Sequence, residues 1–218
     1  VPSTLTQITE SERLPRELLS GIDTLDLTCK SPAPAALLAD LDALKVQAQE
    51  DKRSPVTLDV AGEYFRVLPA GLGGGYPFVL EHKLGKVGVG ESANMPAWKI
   101  SPSAEALHLR GPSGVVAFFR SMLEALTGGP VTLMVSRCDL HADMAGLVIT
   151  AADVASFVCQ ARKYAAWMDG DVVQTHWWGP GGIASVRCYD KLAEIAATGK
   201  GAICASPGLR RVSETVSR

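Results

Sequence analysis

The chain has 218 residues, 47% of them hydrophobic and 20% charged, and a formal net charge of −2 at pH 7. That length can bury one large core, or one core with an extension, while no apolar run approaches the roughly 18 to 20 residues of a membrane span. Up to residue 60 there are 6 basic and 10 acidic residues, against 15 and 13 beyond it, so neither part has the basic footprint of a general nucleic-acid binder and any DNA contact must be local.

Residues 1–34 have weak periodicity and end in TCKSPAP, which predicts a mobile N-terminal tail. From Ala35 to Gln49, Leu37, Leu38, Leu41 and Leu44 fall at helical spacing. This helix either packs on the domain or forms a peripheral arm. From Pro55 the character changes to short strands: VTLDV, EYFRVLP, YPFVLEH, KVGVG, AWKIS and EALHLRG, several of them separated by glycine-rich turns. Gly71 to Gly75 lacks the GK[ST] of a nucleotide-binding P-loop. Ser113 to Leu126 predicts a helix with an apolar stripe of Val115, Phe118, Phe119, Met122, Leu123 and Leu126, capped by Ser113 and ended by Gly128.

Val131 to Asp143 predicts a strand. With period 2, Asp139, His141 and Asp143 point one way with Arg137 behind them, and Leu140 and Ala142 point the other. Two carboxylates and an imidazole are suitable donors for a divalent metal. The same face could also be solvated, or form a salt-bridge ladder. Thr150 and Asp153 form a capping-box pattern for a helix lined by Val154, Phe157, Val158 and Ala161.

Two further strands, DVVQTHWW and GIASVRCY, flank a GPGG loop. A four-residue connection sets Trp178 opposite Ile183 and gathers Gln174, His176, Ser185, Arg187 and Tyr189 on one face. Trp177 and Trp178 could stack on extruded bases or pack against helices. His176 is a satisfied or exposed histidine, or one with a metal or phosphate role. The expected fold is α+β, an antiparallel-rich sheet with helices on one face and polar chemistry on the other. Its domain runs over 55–198, between a tail with a peripheral helix (1–54) and a divergent tail (199–218). Cys29, Cys138, Cys159, Cys188 and Cys204 include no CxxC pair, which predicts reduced thiols rather than a disulfide framework or zinc knuckle. With no signal peptide visible, the expected location is cytoplasmic.

Tyr189 stands beside Lys191 and within reach of Arg187. A tyrosine among cations, together with metal ligands, is the inventory for cutting a phosphodiester through a covalent intermediate. Tyr189 could equally be a half-buried structural residue, and Asp190-Lys191 an ordinary turn.

Ser136-Arg137-Cys138-Asp139-Leu140-His141-Ala142-Asp143 matches an S-R-x-D-L-x-x-D strand, and Arg187-Cys188-Tyr189-Asp190-Lys191-Leu192-Ala193-Glu194 an R-x-Y-D-K-x-x-E element. In these, and in the placement of the GGYPFVLEHKLGKVGVGES region and the WWGPGG loop, the chain resembles the replication initiation factor family of rolling-circle plasmids and phages over roughly residues 60–198. The resemblance implies nicking and joining of one DNA strand at an origin. Tyr189 would be the nucleophile, left linked to the 5′ phosphate, with Mg²⁺ or Mn²⁺ held by Asp139 and Asp143. Lys191 and Glu194 would assist nearby; His141 joins the metal set on strand geometry. Origin DNA, single-stranded or cruciform, is the implied partner, with a host helicase and a homodimer as further candidates and no membrane. After Gly199 the text loses both period and resemblance, like a displaced reading frame or an unrelated tail. The alternative reading is therefore a truncated, non-catalytic DNA-binding remnant.

Overall fold

Between Ile22 and Cys138 most strands alternate apolar and polar residues, and their pairing gathers an apolar set on one side. The computed structural model describes residues 15–51, 53–91, 94–148 and 150–198, with the backbone of 210–217; the side chains of Ser156, Ala197 and Thr198 lie outside it. Two compact units result, one spanning Ile22–Cys138 and the other Asp139–Ser217 with the chain up to Gly21. The division falls inside a strand.

The first unit is an antiparallel sheet with two helices. Its elements are β1 (Arg16–Cys29), α1 (Ala35–Glu50), β2 (Thr57–Val60), β3 (Glu63–Val67), β4 (Phe78–His82), β5 (Gly85–Val89), β6 (Trp98–Pro102), α2 (Ala104–Thr127) and the start of β7 (Leu133–Ala145). The strands lie in the order β2-β3-β4-β5-β6-β1-β7. Leu27 pairs with Ile100, Ile100 with Val87, and Val87 with Leu80. Directly paired residues share a face, so these four and their i±2 neighbours form one apolar surface. Leu37 and Leu41 of α1 and Val115, Phe119 and Leu123 of α2 pack on it. Each such fully buried side chain contributes about 1.5–3 kcal/mol.

The opposite face is polar by the same register. Asp26 accepts a hydrogen bond from Ser101 (2.7 Å) and pairs with Lys99, while Glu81 sits between Arg66 and Lys86. Gly85 has φ 148, and a Cβ there would lie 2.5 Å from the Ser101 carbonyl oxygen, so glycine is needed for β5 to start against β6. The α+β class with helices on one face of an antiparallel sheet is as expected.

Several expectations are corrected. Much of the N-terminal tail is strand: β1 carries Leu25, Leu27 and Cys29 into the core, and residues 1–14 lie outside the described residues. EALHLRG is helix rather than strand. The Ser103 hydroxyl accepts from the Ala106 N–H (3.2 Å), Glu105 occupies the first turn, and Ala106 and Leu107 are buried. The break before the predicted helix is a kink, with Gly111 at φ 72 and Pro112 next; Ser113 is therefore not a cap. Gly128 ends the helix in the left-handed conformation, as its position predicts.

The second unit holds the remainder of β7, a 3₁₀ turn (Ala151–Ser156), β8 (Tyr164–Asp169), β9 (Val172–Trp178), β10 (Ala184–Asp190), α3 (Lys191–Thr198) and β11 (Arg210–Ser217). Its strand order is β7-β11-β10-β9-β8. The Thr150/Asp153 capping box forms, but it starts only the 3₁₀ turn rather than the expected helix. Phe157 leaves the turn to pack on Trp178 at 4.3 Å between ring centroids, and Val158 is exposed. Residues 210–217 pair along β10 from Ala184 to Asp190, so this part of the expected C-terminal tail is strand; residues 199–209 lie outside the described residues. Cys29, Cys138, Cys159 and Cys188 are free thiols.

Candidate functional site

In β7 the usual polarity of a strand is inverted. Asp139 and His141 are buried, 6% and 4% exposed, while Leu140 between them is 45% exposed. Asp143, two residues further on, is half-buried. The imidazole lies over Gly21, its Cε1 3.7 Å from where a Cβ would stand. Period 2 places the three side chains on one side of the strand, about 7 Å apart in succession. Among the described residues, no three His, Cys, Asp or Glu side chains come close enough together to hold a metal ion. The donor types suit Mg²⁺ or Mn²⁺.

The β9–β10 register differs from the four-residue connection expected at the GPGG loop. Trp178 pairs with Val186, Trp177 with Arg187, His176 with Cys188, and Thr175 with Tyr189. The cause lies at Gly179, where φ is 72 and the N–H donates to the Lys163 carbonyl (2.8 Å), extending the β8–β9 ladder instead. A three-residue offset reverses which residues share a face. The expected polar cluster is therefore split: Arg187 and Tyr189 lie on one face of the meander with Trp177, and His176 lies on the other with Cys188.

His176 belongs to a packed aromatic layer. Its Nδ1 is 2.6 Å from the Tyr164 hydroxyl, and its ring stacks on Trp178 at 5.4 Å and 19°. Burial pushes the His176 pKa down, with the Asp153 carboxylate and the Thr150 carbonyl acting in the opposite direction. Burial likewise pushes the Tyr164 phenol up. Both groups are thus neutral at pH 7, as suits structural residues.

The other face carries Arg187 and Tyr189. Asp190 ends β10 and caps α3, its Oδ1 accepting from the Leu192 N–H (2.9 Å) and the Ala193 N–H (3.1 Å). The cap places Lys191 at the first helical position, where its ammonium pairs with Glu194 and lies 5.7 Å from the centre of the Tyr189 ring. Tyr189, Asp190, Lys191 and Glu194 therefore act as one local unit. Arg187, two residues before Tyr189, lies over the Trp177 ring with Cζ 5.6 Å from its centroid. Trp177 also stacks on Trp167 at 5.6 Å and 28°.

Trp167 was missed in the sequence because KYAAWMD does not alternate. The signal was Asp169-Gly170-Asp171, a tight-turn sequence that joins β8 to β9 with Asp169 opposite Val172. A cavity of about 530 Å³ on the polar face of the first unit, lined by Tyr64, Arg66, Glu81, His82 and Lys86 among others, contains none of the candidate residues. Two of its cations, Arg66 and Lys86, pair with Glu81.

No family model and no curated protein matches the chain. A solved structure described as "Structure of Rolling Circle Replication Initiator Protein from Geobacillus stearothermophilus" is similar over 91% of this chain and 74% of that chain, with a TM-score of 0.48 and 13% identity. A likeness of that degree leaves function open.

Proposed function

We propose that this chain nicks and rejoins DNA at a replication origin, with Tyr189 as nucleophile, in the manner of a rolling-circle initiator. The observation that carries the reading is the placement of the Lys191 ammonium against the Tyr189 ring at the capped start of α3. Tyrosine has an ordinary pKa of about 10 and is a poor nucleophile when neutral. A neighbouring cation favours the phenolate, and Arg187 on the same face can meet a phosphate oxygen.

In the step proposed, the phenol loses its proton and its oxygen attacks phosphorus. The bond from phosphorus to the 3′ oxygen breaks, the 5′ phosphate remains on Tyr189, and the 3′ oxygen gains a proton. Attack by that hydroxyl on the phosphotyrosine reverses the step and rejoins the strand. The bond energy is thus retained in the covalent link.

Asp139, His141 and Asp143 are the donor set we assign to Mg²⁺ or Mn²⁺, with origin DNA as partner and a host helicase and a second copy as further candidates. The absence of a gathered donor set among the described residues favours a second reading, a DNA-binding protein that does not nick. Incubation with a labelled single-stranded origin oligonucleotide and Mn²⁺ separates the two. The expected result is a protein–DNA adduct that survives denaturation and disappears in Tyr189→Phe. An adduct persisting in that variant moves the nucleophile elsewhere, and DNA binding without any adduct supports the second reading.

A further inference from the structure

Trp167, Trp177 and Arg187 make a diagonal series of ring and cation contacts across β8, β9 and β10. The two indoles stack at 5.6 Å, and the guanidinium lies 5.6 Å from the centre of the second. Trp167 is 50% exposed, whereas Trp98 and Trp178 are buried at 0% and 5%. Among the described residues β8 pairs only with β9 and ends the strand order, so the exposed indole sits at a margin of the meander.

We infer that this series is a stacking platform for the bases of single-stranded DNA, seating the strand beside Tyr189. An exposed indole offers a flat face to any base, and an arginine in the same series can meet the phosphate that follows. Tyr189 is two residues along β10 from Arg187, about 7 Å, and on the same face by the register. By the register Trp167 and Tyr189 both stand opposite Thr175, so a strand with a base on Trp167 and a phosphate at Arg187 passes beside the tyrosine. Duplex DNA cannot use the platform, because its bases already stack on one another. The cations Arg187 and Lys191 favour a polyanion over a neutral sugar or peptide. The inference deepens the nicking reading and rests on it for the choice of ligand, but not for the stacking itself.

The test uses the full chain and a fluorescein-labelled oligothymidylate, single-stranded or annealed to its complement, at low salt. Trp167→Ala is expected to weaken single-strand binding about 5- to 100-fold, the range for loss of one base–aromatic stack, while Trp167→Phe retains most of it. Oligothymidylate should quench tryptophan emission in the native protein, and Trp167→Phe should remove most of that quenching even if the alanine variant folds poorly. Unchanged affinity in a folded Trp167→Ala protein, with only a lower melting temperature, means that the indole pair merely braces the hairpin and overturns the platform. Equal affinity for duplex and single strand overturns it as well. An adduct at Tyr189 with binding indifferent to Trp167 keeps the nicking reading and rejects the platform. Binding dependent on Trp167 without an adduct does the reverse.

Discussion

Lys191 holds its ammonium 5.7 Å from the centre of the Tyr189 ring, and the strand-to-helix junction between them sets that distance. Asp190 caps the helix and Glu194 pairs with the lysine. The Y-D-K-x-x-E spacing therefore has a local mechanical meaning: tyrosine, cap, cation and anchor, in that order.

Lys191→Met is expected to slow adduct formation about 100-fold, the lower end of what removing one preorganised charge costs at a reacting centre. Lys191→Arg should recover part of the rate. Asp190→Ala removes the cap, costing about 1 kcal/mol, and should slow the adduct less than Lys191→Met does. Denaturing gels of timed reactions check all three. An undiminished rate in Lys191→Met would remove the lysine from the chemistry.

Metal binding is tested by melting. A ligand that binds only the folded state stabilises it by RT ln(1 + [L]/Kd), about 2.7 kcal/mol at one hundred times Kd. Mn²⁺ is expected to raise the melting temperature of the native protein but not of Asp139→Ala. An equal rise in both would exclude Asp139 as a ligand. No rise in either would agree with donors that stay about 7 Å apart along the strand.

The pH dependence follows from His176. Its folded pKa is lowered from the ordinary 6.5 by burial, with Asp153 and Thr150 opposing, and Tyr164, Trp178 and Cys188 complete its surroundings. The unfolded state therefore binds the proton more readily. The stabilisation is present above about pH 6.5 and is lost as pH falls towards the folded pKa. His82, also lowered by burial, has the same sign in the first unit. Melting between neutral and mildly acid pH should show stability falling, and His176→Gln should flatten part of the slope. A slope unchanged in that variant would leave His82 as its source.

Gly179→Ala tests the hairpin register. At φ 72 a side chain is strained, and its Cβ would stand 2.7 Å from the Ala184 carbonyl oxygen. The expected loss is about 1–3 kcal/mol, with faster amide exchange along β10. Stability within error of the native protein would mean that the turn does not hold the register.

The local parts of this protein were legible from its residues. Leucines at helical spacing specify α1, short apolar runs between turn sequences specify β2 to β6, and Gly128 marks where α2 stops. The common side of Asp139 and His141 is equally local, because side-chain direction in a strand depends only on residue parity. EALHLRG failed this way of reading, since a short apolar run suits strand or helix and the cap at Ser103 decided it. β1 alternates only from Ile22 onward, after a polar start, and β11 became a strand through its pairing with β10.

The meander shows where the chain alone stops deciding. Trp177, His176, Arg187 and Tyr189 are visible in the sequence as chemistry, but not which of them meet. That depends on a register set by the Gly179 N–H, which donates to Lys163, just before β8, rather than to β10. An odd offset in pairing exchanges the two faces of a strand. His176 was thereby turned towards Tyr164 and Trp178, and Tyr189 left beside Lys191, on the face where Trp167 and Trp177 stack.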